Sequence, residues 1–269
     1  MGENVDCIWI TGASSGIGAE AARQFSKGNS KLILSARSID KLDELKSSLP
    51  NPERITVAAL DLADSSSIKL AVDEVLSSGM VPNIVFLAGG VSQRSYVLET
   101  STDVDRRIMD VNYFGNVELT KALLPAMLKN GGGSFAVISS LVGLFGYGVR
   151  SAYSASKHAL HGFFESLDVE LGEQGINSTL ICPGGVQTNI SLNALQGDGS
   201  KTGLMDEMQS EGMPVAVAVE KMIIGIRKRK NLLVIGSGKE KLGVFIHKHF
   251  PSIFFKIAVK QNPRGSVKL

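Results

Sequence analysis

The stretch Val5-Asp6-Cys7-Ile8-Trp9-Ile10-Thr11-Gly12-Ala13-Ser14-Ser15-Gly16-Ile17-Gly18 decides the fold. Its first six residues have a strand pattern, a glycine-rich turn comes next, and a helical pattern runs on through about residue 27. A strand, a glycine-rich turn and a helix make the first half of a dinucleotide-binding unit. Glycines let the backbone approach a pyrophosphate, and the helix N-terminus offers free N–H groups and a positive dipole end. The spacing G-x-x-x-G-x-G departs from the commoner G-x-G-x-x-G, so the turn takes its weight from standing directly behind the first strand.

The same alternation runs down the chain. Strand patterns cover 31–37, 54–60, 83–87 and 134–140, and another ends in Leu180-Ile181-Cys182-Pro183. Helical patterns cover 40–49, 64–78 and 101–129, then the segment around Tyr153, then 214–230, before a last strand at 231–235. This predicts a single α/β domain: a doubly wound, seven-stranded parallel sheet with helices on both faces. Residues 1–238 form its body and 239–269 a basic, aromatic helical extension. Ligands of such sheets bind beyond the carboxyl ends of the strands, where Gly12, Arg37, Asp61, Gly89, Ser140 and Pro183 all fall.

Individual strand ends refine the ligand. The second strand closes on Ala36-Arg37, where an acid would hold the ribose hydroxyls of NAD. Arginine there can clamp a 2′-phosphate, so NADP(H) is the expected cofactor; the plain alternative is a surface residue before the next helix. Asp61, followed by Leu62, is placed to accept from an adenine amino group, or simply to favour the start of the next helix. Ala88-Gly89-Gly90 lets a ribose lie on the backbone. Asn112 and Gly115 interrupt a helical pattern that neither residue favours, and such local violations mark functional positions.

Tyr153 and Lys157 stand four apart in Ser151-Ala152-Tyr153-Ser154-Ala155-Ser156-Lys157-His158 and share one helix face. A fixed positive charge favours the phenolate and lowers the tyrosine pKa from about 10, which suits proton exchange with an alcohol or ketone oxygen. Taken alone, such a pair is ordinary: a packed tyrosine and a solvated lysine.

Taken together, Thr11 to Gly18, the strand end at Ser140, Tyr153-Ser154-Ala155-Ser156-Lys157 and Pro183-Gly184-Gly185-Val186-Gln187-Thr188 resemble the short-chain dehydrogenase/reductase family over roughly the first 190 residues. The resemblance implies that Tyr153 is the acid/base and that Lys157 lowers its pKa and holds the nicotinamide ribose. It implies that Ser140 hydrogen-bonds the substrate oxygen, with Ser139 pointing to the opposite face, and that Asn112 holds a water linking Lys157 to solvent. Cofactor contacts are expected from Gly12, Ser14, Ser15, Gly16, Ile17, Gly18, Arg37, Asp61, Leu62, Ala88, Gly89, Asn112, Tyr153, Lys157, Pro183, Gly184, Val186 and Thr188. One departure stands out: Leu87 replaces the family's Asn, which raises the question of local rigidity under the cofactor. Residues from Asn189 through Gly197-Asp198-Gly199-Ser200 resemble the dehydrogenase/reductase member 7 branch, whose members are membrane-associated and carry an N-terminal hydrophobic anchor; no such anchor is expected here. A homodimer or homotetramer is implied.

Residues 189–213, rich in Gly, Asn and Ser, fit the position of the family's substrate lid. Ile190, Leu192, Leu195 and Leu204 there, with Leu141, Phe145, Tyr147 and Val149, suggest an apolar pocket for a ketone, aldehyde or secondary alcohol of lipid, steroid or retinoid type. The different-class alternative is a non-catalytic NADP(H)-binding module that senses redox state.

Composition narrows the rest. A chain of 269 residues with 43% hydrophobic residues can bury a large core. Cys7 and Cys182 lie in apolar strands and are expected as buried, reduced thiols. No signal peptide, membrane-span run or nucleic-acid motif is read, so a cytoplasmic location is expected. His158 and His161 could share a metal but lack third and fourth ligands, so no metal site is expected. Charge is lopsided: residues 221–269 hold twelve Lys or Arg and a single acid, Glu240. Phe245, Phe250, Phe254 and Phe255 are interleaved with those cations, as in a peripheral membrane contact or a helix pair that caps the core or forms a dimer. The terminal Val267-Lys268-Leu269 lacks the small residue of a peroxisomal signal.

Overall fold

A computed structural model describes residues 6–261; the expected strand start at Val5 and the terminal tripeptide lie outside the described residues. In chain order the elements are β1 (Cys7–Thr11), α1 (Gly16–Phe25), β2 (Lys31–Ala36), α2 (Ile39–Ser48), β3 (Ile55–Ala59), α3 (Ser65–Ser77), β4 (Ile84–Leu87), α4 (Thr102–Met109) and α5 (Gly115–Lys129). There follow β5 (Gly133–Ile138), α6 (Ser151–Leu171), β6 (Ile176–Pro183), α7 (Glu207–Ser210), α8 (Val215–Arg227), β7 (Leu232–Ile235), α9 (Gly238–His249) and α10 (Pro251–Gln261).

The seven strands form one sheet in the order β3-β2-β1-β4-β5-β6-β7, and every pairing is parallel. Successive side chains leave a strand on opposite faces. Ile8, Ile10, Leu32, Leu34 and Phe86 therefore pack with α1, α2 and α8 on one side. Trp9, Ile33, Val85, Leu87 and Phe135 pack with α3, α5 and α6 on the other. A parallel sheet covered on both faces must be apolar on both, which explains the near-continuous hydrophobic strands.

Strand order reverses between β1 and β4, which opens a crevice at their carboxyl ends. Gly12 there has φ +65°, and a side chain on it would run into the Gly89 backbone. The Gly89 N–H donates to Thr11 Oγ1 at 3.1 Å, which ties the two turns together.

The expected helix over 101–129 runs from Thr102 to Lys129, but with one irregular turn. Asp110–Phe114 forms a π-turn between α4 and α5. The buried Asn112 side chain works inside that turn, and Gly115 lies so close to the Leu62 carbonyl that no Cβ would fit. Poor helix formers at 112 and 115 and the tertiary contacts they make thus coincide with a local π-turn.

Leu87 is buried in the apolar layer opposite Thr11 and Val137, and it leaves the crevice well tied through Thr11. Leu87→Asn puts an amide into that layer. We expect the unfolding free energy in urea to drop by about 2 kcal/mol, the scale of a buried polar group without partners. An unchanged midpoint and slope would show that the amide finds partners there.

Candidate active site

The site is built around the first turns of α6. Its cap residue Arg150 makes no side-chain capping bond. A buried residue from another segment does that work: Gln93 Oε1 accepts from the N–H groups of Ala152 (2.8 Å) and Tyr153 (3.4 Å). The Gln93 amide donates in turn to the hydroxyls of Ser95 and Thr100. An internal amide meeting the free N–H groups of a helix start fixes that start without solvent.

Tyr153 and Lys157 project from α6 one turn apart, 8% and 4% exposed. Lys157 Nζ lies 5.7 Å from the Tyr153 ring centroid and donates to the Ile138 carbonyl at 2.7 Å. The Ser140 hydroxyl is near enough to Tyr153 to lower its pKa, and it accepts from the Val142 N–H. Its neighbour Ser139 points away, to His161 Nε2 at 3.0 Å and the Lys157 carbonyl at 3.3 Å. Asn112 Nδ2 donates to the Val91 carbonyl and to Ser156 Oγ, while its Oδ1 accepts from the Val91 N–H. Both Asn112 donors are therefore spent on holding the β4–α4 connection against α6.

The electrostatics differ from expectation. Burial pushes the Tyr153 phenol above its ordinary value, against a smaller lowering by Arg150, Arg94 and the Ser140 hydroxyl. Burial also pushes Lys157 down to about 8, with Cys182 opposing. Both charged forms lose hydration in this wall, and Lys157 is engaged with a carbonyl rather than facing the phenol's oxygen. The cations that bias Tyr153 are two arginines. They share one carboxylate from residues 189–213: Asp206 Oδ2 accepts from Arg94 Nε at 2.7 Å and from Arg150 Nη2 at 3.0 Å. Nothing in the sequence pattern marks this cluster, because its members lie 56 and 112 residues apart.

A cavity of about 540 Å³ opens over these groups. Ser140 and Tyr153 line it, as do Ile17, Pro183, Gly184, Val186 and Thr188. Leu141, Phe145 and Tyr147 make its apolar wall as expected, but Val149 does not line it, and of the four apolar residues expected from 189–213 only Ile190 reaches it. Leu195 packs instead with Val104, Ile108 and Ala152, and Leu204 is exposed. The roof was not anticipated: Leu242 and Ile246 of α9 and Phe254 and Ile257 of α10 close the cavity from above. Phe254 packs against Phe145 with its ring tilted by 57° and 4.8 Å between centroids. Glu240 anchors that roof, since its Oε1 accepts from the Gly185 N–H at 2.9 Å and its Oε2 from the Ser237 N–H at 2.7 Å.

The remaining expected residues outline a groove that runs from the cavity. The start of α1 has no side-chain cap and no acid in its first turn, so its N–H groups suit an anion. Thr188 lies against Gly16, which joins that turn to the cavity. Ser14, Ser15 and Gly18 belong to the same turn, with Gly18 packed on the Gly12 carbonyl. Leu62, Ala88 and Gly89 border the crevice, and Asp61 uses Oδ1 to accept from the Ala63 N–H. Arg37 stands exposed just past the end of β2. The described residues suit a dinucleotide in charge and shape.

Other singled-out groups go elsewhere. His158 Nδ1 lies 2.8 Å from the Ser154 carbonyl. Burial, with repulsion from His158 and Lys157, pushes His161 down to about 4, so that ring is neutral. Cys182 is buried, with its thiol pushed up to about 12 by burial, whereas Cys7 is only half-buried.

Lys157 makes a testable electrostatic prediction. Its depressed value means that the unfolded chain binds that proton more tightly between pH about 8 and 10.5. Lys157 should therefore cost stability below pH 8 and lose that cost as pH climbs through the window. Measured against Lys157→Met by urea denaturation, the parent should gain relative stability from pH 8 to 10.5; a constant difference would refute the assignment.

The sequence profile described as short chain dehydrogenase matches residues 6–198. Dehydrogenase/reductase SDR family member 7B of Bos taurus is 38% identical over 257 residues, covering 93% of this chain and 79% of that protein. Dehydrogenase/reductase SDR family protein 7-like of Drosophila melanogaster is 39% identical over 259 residues, covering 94% and 79%. Among solved structures, a short-chain dehydrogenase from Streptomyces avermitilis superposes with a TM-score of 0.82 at 27% identity, covering 97% of each chain. With its doubly wound sheet, its Ser140 and Tyr153 at one cavity wall and Lys157 buried one turn behind that tyrosine, this chain belongs to the short-chain dehydrogenase/reductase family.

Proposed function

We propose that the protein is an NADP(H)-dependent oxidoreductase that moves hydride between a nicotinamide and an apolar carbonyl or secondary alcohol of lipid, steroid or retinoid type. The observation that carries this reading is the cavity itself. Its apolar walls converge on two neighbouring hydroxyls, Ser140 and Tyr153, beside Pro183, Gly184, Val186 and Thr188.

The bound nicotinamide would supply or accept the hydride. The chain's own residues do the rest. The Ser140 and Tyr153 hydroxyls hold the substrate oxygen, on which negative charge grows during reduction. Tyr153 passes its proton to that oxygen, or takes one in the opposite direction. Arg94 and Arg150 favour the phenolate that remains, and burial keeps competing water away. Lys157 and the Asn112 region stand behind Tyr153, on the side from which the proton is replaced. Arg37, exposed just past β2, would hold the 2′-phosphate that NADP carries and NAD does not.

Tyr153→Phe should cut turnover of apolar ketones at least about a hundredfold, followed by loss of NADPH absorbance, with NADPH affinity nearly unchanged. Unaltered turnover would reject the acid/base role and leave a binding module. Arg37→Ala should weaken NADPH binding by about 1–3 kcal/mol, the scale of a charge-assisted contact, and leave NADH binding as it was. Equal losses for the two cofactors in a fluorescence titration would reject the clamp.

A further inference from the structure

The C-terminal helix pair has two sides of different character. Inward, Phe254 and Ala258 of α10 and Ile246 of α9 line the cavity. Outward, α10 remains largely apolar. Ile253, Phe255, Ile257 and Val259 are all exposed, Val259 by 68%, and Phe250 between the helices is 52% exposed. On α9, Leu242 and Phe245 are exposed as well. A globular surface rarely leaves so many large apolar side chains together on one short element.

Charge accompanies them. Lys239, Lys241, Lys248, Lys256 and Lys260 are exposed on the same two helices. The pair's sole acid, Glu240, is turned inward onto Gly185. At helical spacing Ile253, Lys256, Ile257 and Lys260 share one stripe, so apolar and cationic groups are interleaved rather than opposed. Apolar side chains flanked by lysines match the boundary of an anionic bilayer, where acyl chains take the former and phosphates the latter. A second copy of the chain would meet five lysines with five lysines. No described helix is long and apolar enough to cross a membrane, so contact through these helices lies in the interface plane.

We propose that α9 and α10 form a monotopic docking surface for an anionic lipid bilayer. The docked face also holds the cavity's mouth: Leu242 and Ile257 line the cavity and are about half exposed. Resting on the reading of that cavity as the substrate site, this orientation lets an apolar carbonyl compound pass from the bilayer to Tyr153 without crossing water.

The full-length chain is sedimented with vesicles of phosphatidylcholine alone or with a quarter phosphatidylserine, at salt of about 0.15 M and about 0.5 M. We expect at least about tenfold stronger partition into the anionic vesicles, weakened at high salt. The pair Phe250→Ser and Ile253→Ser should lower that partition about tenfold or more, while turnover of a small water-soluble ketone stays unchanged. Lys248→Gln with Lys256→Gln and Lys260→Gln should bring the anionic vesicles down toward the neutral ones. Should the apolar pair lose folding, the salt response of the unaltered chain still decides. Failure to sediment with either vesicle, or equal binding to both, would overturn the proposal. So would gel filtration in which the parent is a dimer and the Phe250/Ile253 variant a monomer. These binding readouts are independent of turnover, so they stand or fall apart from the proposed chemistry.

Discussion

A phenol and an ammonium are held out of water one helical turn apart, and a large share of the tertiary structure serves to keep them there. Desolvating either ion alone is costly, and the arrangement persists only because its surroundings are fixed. Lys157 reaches the Ile138 carbonyl at the end of β5. Asn112, from the π-turn between α4 and α5, clasps the Val91 backbone and Ser156. Gln93 meets the open N-terminus of α6 from outside the helix. Three segments distant in sequence therefore define where one helix starts and how it is rotated, and that rotation aims Tyr153 into the cavity.

The charge environment of Tyr153 is likewise assembled from a distance. Arg94 follows β4, Arg150 precedes α6, and Asp206 comes from the segment after β6. Two guanidiniums sharing one carboxylate leave net positive charge in an otherwise apolar wall, which favours a phenolate or a growing alkoxide. The tuning of the tyrosine thus depends on how residues 189–213 lie against the body, because Asp206 is the group that partly neutralises both arginines.

The C-terminal helices give the cavity its size and its openness together. Glu240 completes a capping box on α9 and at the same time grips the Gly185 N–H beside the site. One carboxylate thereby fastens a basic, apolar element to the loop that carries Val186 and Thr188. The roof seals the cavity over Phe145 yet leaves Leu242 and Ile257 between cavity and surroundings, so access and enclosure are properties of the same two helices.

Local pattern was enough to determine the doubly wound sheet. Strand alternation, a glycine turn behind β1 and the Tyr153–Lys157 spacing are all written within a few residues, and each depends on backbone geometry that neighbours in sequence control. Ser140 facing the site and Ser139 facing away follow from the same period of two. The π-turn at 110–114 showed locally only as the misfit of Asn112 and Gly115, while the capping of α6 by Gln93, the arginine–aspartate cluster and the roof over the cavity left no local trace. Each is a contact between residues tens to hundreds of positions apart, made only once the sheet has brought them together. The acidity of Tyr153 and Lys157 belongs to the second group for the same reason: it is set by lost hydration and by charges from other elements, and burial is a property of the folded whole rather than of any stretch of chain.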